Sequence, residues 1–130
     1  MNRLASERVA HRERLVKSAS CYADEVKKRY GPSTVLLYGS VARGDFNLWS
    51  DIDVLVVADA LPEHPLERSR VLYEFALPGI EAKGYSPSEY REAKSRGLPL
   101  ISEIEGYCVV LRDDLGLIPG RETASPVQEG

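Results

Sequence analysis

The stretch "LLYGSVARGDFNLWSDIDVLVV", Leu36 to Val57, sets the terms for the whole chain. Two apolar runs bracket a small, polar, glycine-containing segment, and the second run opens with Asp51 and Asp53. A purely structural strand has no reason to take aspartate twice, because crowding carboxylates costs free energy unless something compensates them. Side chains at i and i+2 of a strand share a face. Asp51 and Asp53 therefore project together, while Ile52 and Val54 turn to the core. Two carboxylates so close repel unless a cation lies between them. A hard divalent ion such as Mg²⁺ takes oxygen ligands, often one or two carboxylates plus substrate phosphates. The pair reads as a metal seat.

The segment before it supplies the complement. Gly39 permits a tight turn and close approach of a ligand to the backbone. Ser40 offers a hydroxyl where a short helix, "SVARGD", can begin, and N–H groups at a helix start attract phosphate oxygens. Arg43 adds a fixed positive charge, and Gly44 lets the chain turn out again. For the Gly39–Ser40 turn to meet the Asp pair, the two strands must be antiparallel neighbours. A phosphate cradle beside a metal seat equips a chain for phosphoryl or nucleotidyl transfer, where positioning and charge neutralisation do most of the catalysis.

Working outward, Leu15, Ala19, Tyr22, Val26 and Tyr30 recur at helical spacing and predict an amphipathic helix from near Ala5 to before Gly31, which can cap it. "TVLLY", Thr34 to Tyr38, and "DIDVLVVA", Asp51 to Ala58, read as buried strands. Leu61 to Pro65 is a loop, and Leu66 to Leu77 a helix with Val71, Leu72, Phe75 and Ala76 inward. Gly79 to Tyr85 alternates as a third strand. "SPSE", Ser86 to Glu89, carries the capping-box pattern with Pro87 at the first helical position, and its helix runs to about Arg96. "PLISEIE" is a further short helix and Gly106 to Arg112 a last strand. The expectation is one domain over residues 1–116, with a disordered tail at 117–130 rich in Pro, Gly, Ser and Glu. Strands alternating with helices give an α/β (α+β) class, a small mixed sheet flanked by helices.

The chain has 130 residues, 43% hydrophobic and 28% charged, with a net charge of −3. That size fits one hydrophobic core. The charge argues against gripping a nucleic-acid backbone as the main task, but not against a nucleotide as ligand. No apolar run is long enough for a bilayer, and the charged N-terminus does not read as a secretory signal. Cys21 and Cys108 lack metal-ligand spacing and read as free, buried thiols of a cytoplasmic protein.

Taken jointly, Gly39-Ser40, Ala42-Arg43-Gly44 and Ser50-Asp51-Ile52-Asp53 resemble the signature of the DNA polymerase β-like nucleotidyltransferase superfamily, in its small stand-alone form, the minimal nucleotidyltransferases. The resemblance covers about Thr34 to Tyr85 at motif level. It implies the polymerase β-like nucleotidyltransferase fold and transfer of a nucleoside monophosphate, AMP from ATP above all, to an acceptor hydroxyl with Mg²⁺ or Mn²⁺. It implies Asp51 and Asp53 as catalytic metal ligands and Gly39, Ser40 and Arg43 on the triphosphate. The family's third carboxylate, more usually an aspartate, falls in register on Glu81, which would help hold the metal and receive the acceptor's proton. Such proteins are frequently paired with HEPN-type helical partners as antitoxin with toxin, which implies a protein complex or self-association.

Plainer roles fit the other residues. Arg43 can pair with Asp51 or Asp53 when no ligand is bound. Asp45 is a surface turn residue, Trp49 and Phe46 cover the loop, and Tyr38 is core. His11 and His64 are solvated or capping, and "SERVAHRER", Ser6 to Arg14, is a solvated helix face. Three functions compete: the metal-dependent enzyme, a non-catalytic nucleotide- or partner-binding module, and an aminoglycoside-type nucleotidyltransferase, for whose acceptor domain 130 residues leave little room.

Overall fold

The computed structural model describes residues 3–47 and 50–120. Trp49 and the predicted tail beyond Gly120 lie outside the described residues. The elements, in order, are α1 (Arg3–Tyr30), β1 (Ser33–Tyr38), α2 (Gly39–Arg43), β2 (Ile52–Ala58), α3 (Pro65–Glu74), β3 (Ile80–Tyr85), α4 (Pro87–Ser95), α5 (Pro99–Gly106) and β4 (Val109–Asp113).

The four strands form one mixed sheet in the order β3-β2-β1-β4. β1 is antiparallel to both β2 and β4, whereas β2 and β3 are parallel, joined through α3. Antiparallel pairing of β1 with β2 is the arrangement that the Gly39–Ser40 turn demanded. β1 is buried along its whole length because the sheet is covered on both faces. On one face, Ala19, Tyr22, Ala23 and Val26 of α1 and Leu72 of α3 pack on Val35, Leu37, Val54, Val56 and Ile80. On the other, Tyr90 and Ala93 of α4 and Ile101 and Ile104 of α5 pack on Leu36, Leu55, Val57 and Val110. Central strands buried on both faces read as continuous apolar runs, which is why "TVLLY" and "VLVVA" lack alternation.

Local signals set the ends. α1 closes on Lys27, Lys28 and Arg29, charges that suit a helix C-terminus, and on Gly31 at φ 76°, whose N–H reaches the Lys27 carbonyl at 2.9 Å. His64 caps α3, its ring accepting from Leu66 N–H at 3.2 Å. Ser86 and Glu89 form the expected capping box on α4. Edge strand β3 turns Ile80 and Ala82 inward and leaves Glu81 and Lys83 exposed, a charge pattern that guards a sheet edge. Its Gly84 leaves room for α3: a Cβ there would lie 2.7 Å from Leu72 Cδ1 and 2.9 Å from Arg68 Cδ. Arg68, itself buried, ties α3 to α4 through Glu89 at 2.7 Å and to β3 through the Gly84 carbonyl at 3.1 Å.

Several expectations need correction. Cys21 is exposed and only Cys108 is buried, because Cys21 falls between the buried positions of α1. Asp51 precedes β2 instead of opening it. Leu117 and Ile118, read as tail, donate their N–H groups to Asp113 at 2.8 and 3.0 Å, and Ile118 is buried on the sheet face covered by α4 and α5. No helix among the described residues is long and apolar enough to cross a membrane.

Candidate active site

The site lies where β1 ends and β2 begins. β1 runs without a linker into α2, so Gly39 and Ser40 follow Tyr38 directly. Register aligns Tyr38 of β1 with Asp53 of β2, and Asp53 with Glu81 of β3. Paired residues of neighbouring strands point to the same face, so Tyr38, Asp53 and Glu81 form a row across three strands. It is the face covered by α4 and α5.

Gly39 sits at φ 79°, and a Cβ there would meet Asp53 Oδ2 at 2.5 Å. The turn's backbone thus lies directly against the carboxylate, and a side chain would displace one or the other. Gly39→Ala is expected to lower Tm by several degrees, since left-handed backbone in a non-glycine residue costs about 1–2 kcal/mol. Thermal melts of the variant check this; an unchanged Tm would mean the turn relaxes freely.

Asp53 is half-buried. Burial pushes its pKa up, the neighbouring Asp51 pushes it further, Lys83 opposes, and Glu81 and Glu103 add to the rise. The same charges act on the Tyr38 hydroxyl, whose pKa is raised by burial first and then by Asp53, Glu103 and Glu81. Burial raises the pKa of Tyr73 of α3, and the neighbouring Glu81 and Asp51 add to the rise. Asp51, Asp53, Glu81 and Glu103 therefore concentrate negative charge at one end of the sheet.

Among the described residues, no three His, Cys, Asp or Glu side chains are gathered closely enough to hold a metal ion by themselves. Asp51, Asp53 and Glu81 are thus near one another without forming a closed cage. The donor set still fits a divalent cation of the kind that takes one or two carboxylates and fills its shell with phosphate oxygens and water. The destabilised charge on Asp53 is what such an ion would relieve.

Ser40 is half-buried at the start of α2 and Arg43 is exposed at its end. Arg43 does not pair with Asp51 or Asp53. Its Nε lies 3.3 Å from Asp45 and its Nη1 3.6 Å from Glu103, both exposed pairs. Ser50 shapes the approach to Asp51 by accepting the Asn47 N–H at 2.9 Å. Tyr38 is buried, as expected, yet borders the site. Phe46 is buried and packs on α1 under the Arg8 guanidinium, 4.5 Å from the ring centre.

Lys83, Tyr73 and Glu103 were missed by sequence reasoning. Lys83 was legible, since it stands two residues after Glu81 on the same strand face. Tyr73 and Glu103 reach the site only through the docking of α3 and α5, and nothing local marks them.

A family model described as "Nucleotidyltransferase domain" matches residues 21–120. The chain is 32% identical over 101 residues to "Putative protein adenylyltransferase" of Methanocaldococcus jannaschii, an alignment covering 72% of this chain and 69% of that protein. Its fold matches the crystal structure of "a putative nucleotidyltransferase" from Sulfolobus solfataricus with a TM-score of 0.61. That match covers 79% of this chain and 84% of the other at 23% identity.

Proposed function

The chain belongs to the nucleotidyltransferase domain family, and on that premise we propose that it transfers AMP from ATP to a hydroxyl group on a protein. The reading is carried by one observation: strand register sets the Gly39 backbone against Asp53, with Glu81 in line on the next strand. The name of the M. jannaschii relative supports a protein as acceptor. A HEPN-type helical protein, as in a toxin–antitoxin pair, or a second copy of this chain would provide that hydroxyl.

In this scheme Ser40 and the Gly39 backbone hold the triphosphate, and Arg43 leaves its exposed carboxylate partners to neutralise phosphate charge. Such exposed ion pairs are worth about 0–1 kcal/mol each, so a phosphate displaces them readily. Asp51 and Asp53 would hold Mg²⁺ or Mn²⁺, with Glu81 contributing from β3. When bound, the metal supplies charge neutralisation at the phosphates. The acceptor oxygen forms a bond to the α-phosphorus, the bond from that phosphorus to the α,β-bridging oxygen breaks, and pyrophosphate leaves with the electron pair. The acceptor's proton passes to Glu81, whose carboxylate lies near Tyr73 of α3.

The test is transfer of label from α-labelled ATP to a co-expressed partner protein. A tight complex without label on any protein would favour the non-catalytic binding module. Ser40→Ala and Arg43→Ala are expected to weaken ATP by about tenfold each, the loss of one charge-assisted hydrogen bond, and to leave adenosine binding nearly unchanged. Equal losses for both ligands would move these residues away from the phosphates.

A further inference from the structure

The charged run at the start of α1, expected to be a solvated face, instead grips α2. Arg12 donates from Nε to the Val41 carbonyl at 2.9 Å and from Nη2 to the Ala42 carbonyl at 2.7 Å. Arg8, one turn earlier, donates from Nη2 to the Gly44 carbonyl at 3.2 Å and to the Phe46 carbonyl. Arg12 is half-buried. None of the ion pairs among the described residues uses either arginine; their partners are neutral backbone.

α2 has only five residues, far too few to persist as a helix unaided. Its last carbonyls have no partners within the helix. The Ser40 carbonyl is satisfied by the N–H groups of Gly44 and Asp45 at 2.9 and 3.1 Å. The next two, Val41 and Ala42, are satisfied by the one fork of Arg12. A planar guanidinium can meet two adjacent carbonyls in fixed geometry, and its charge suits a helix C-terminus; a lysine ammonium lacks the fork.

We propose that Arg12 is a positioning residue for the nucleotide. By clamping Val41 and Ala42, with Arg8 holding Gly44, it fixes the Gly39–Gly44 segment so that Ser40 and Arg43 stand where the triphosphate meets them. The proposal rests on the nucleotide reading of that segment given above. It gives α1 a role beyond covering the sheet: its C-terminal half builds the core, and its N-terminal half sets the phosphate turn.

Two measurements separate the clamp from the nucleotide reading. Hydrogen exchange on Arg12→Ala is expected to quicken at residues 40–44 while the β1 and β2 amides stay protected. Titration with Mg²⁺ and ATP, against adenosine, is expected to show about a tenfold loss for ATP and little change for adenosine. Arg12→Lys should recover only part of the ATP affinity. A purely structural arginine would weaken both ligands alike, and that result overturns the proposal, as does unchanged exchange in α2. Faster exchange in α2, in a protein whose wild type binds no ATP, would keep the clamp but overturn both its role for the nucleotide and the reading on which that role rests. Should Arg12→Ala fail to fold, Arg12→Gln, which keeps one donor, takes its place under the same criteria.

Discussion

Replacing Asp51 and Asp53 together by asparagine is expected to abolish metal-dependent ATP binding and AMP transfer, yet leave a folded protein more stable than wild type at neutral pH. The loss follows from removing both charges that would seat the cation; single electrostatic stabilisers in such sites are commonly worth about 10²–10³ in rate. The gain follows from linkage. Burial and Asp51 hold the Asp53 pKa above its ordinary 3.8. Between the ordinary and the raised value the folded protein binds more protons than the unfolded chain, so stability falls as pH rises through that window. The penalty is absent below 3.8 and complete above the raised value. Asparagine carries no charge and escapes it. Melting curves should therefore show the variant above wild type at pH 7, with the difference closing as pH falls below the carboxylate range. Calorimetric titration of ATP with Mg²⁺ checks the binding half. Metal-dependent binding that survives in the double variant would remove the two aspartates from the metal seat.

The half-buried, crowded carboxylate of Asp53 also explains what could be read from the sequence. Aspartate at an otherwise apolar strand is a local conflict, and conflicts of that kind concentrate at functional sites. From it, the antiparallel β1–β2 pair follows, since only that pairing brings Gly39 to Asp53. The capping box at Ser86–Glu89 and the Gly31 stop were equally readable, because each rests on residues within a few positions of one another. Long-range placement was not. Glu103 faces Arg43 and Asp53 only because α5 packs beneath Leu36 and Val110. The charges of "SERVAHRER" looked solvated because the partners of Arg8 and Arg12 are backbone carbonyls some thirty residues away, and carbonyls carry no signature in a sequence. Asp51 reads as strand by composition, but pairing with the β3 side starts at Ile52, whose N–H meets the Gly79 carbonyl at 2.8 Å.

Glu81→Gln is expected to separate chemistry from binding. The substitution keeps the size of the side chain and its place in register opposite Asp53. It removes the negative charge and the capacity to accept a proton from the attacking hydroxyl. General-base assistance is worth about 10²–10⁴ in rate, so transfer should fall by that order. ATP affinity should change far less, because Asp51, Asp53 and the Gly39–Arg43 segment remain. A fall in turnover without matching loss of affinity marks a group that acts mainly in the transition state. Tyr73→Phe supplies the internal control. It leaves the carboxylate intact but takes away the hydroxyl beside Glu81, so transfer should fall by a smaller factor, and combining it with Glu81→Gln should add little. The assay is label transfer from α-labelled ATP with wild type, both single variants and the double variant side by side. If Glu81→Gln transfers as fast as wild type, the proton goes elsewhere; Glu103, the other carboxylate on this face near Asp53, is then the residue to replace.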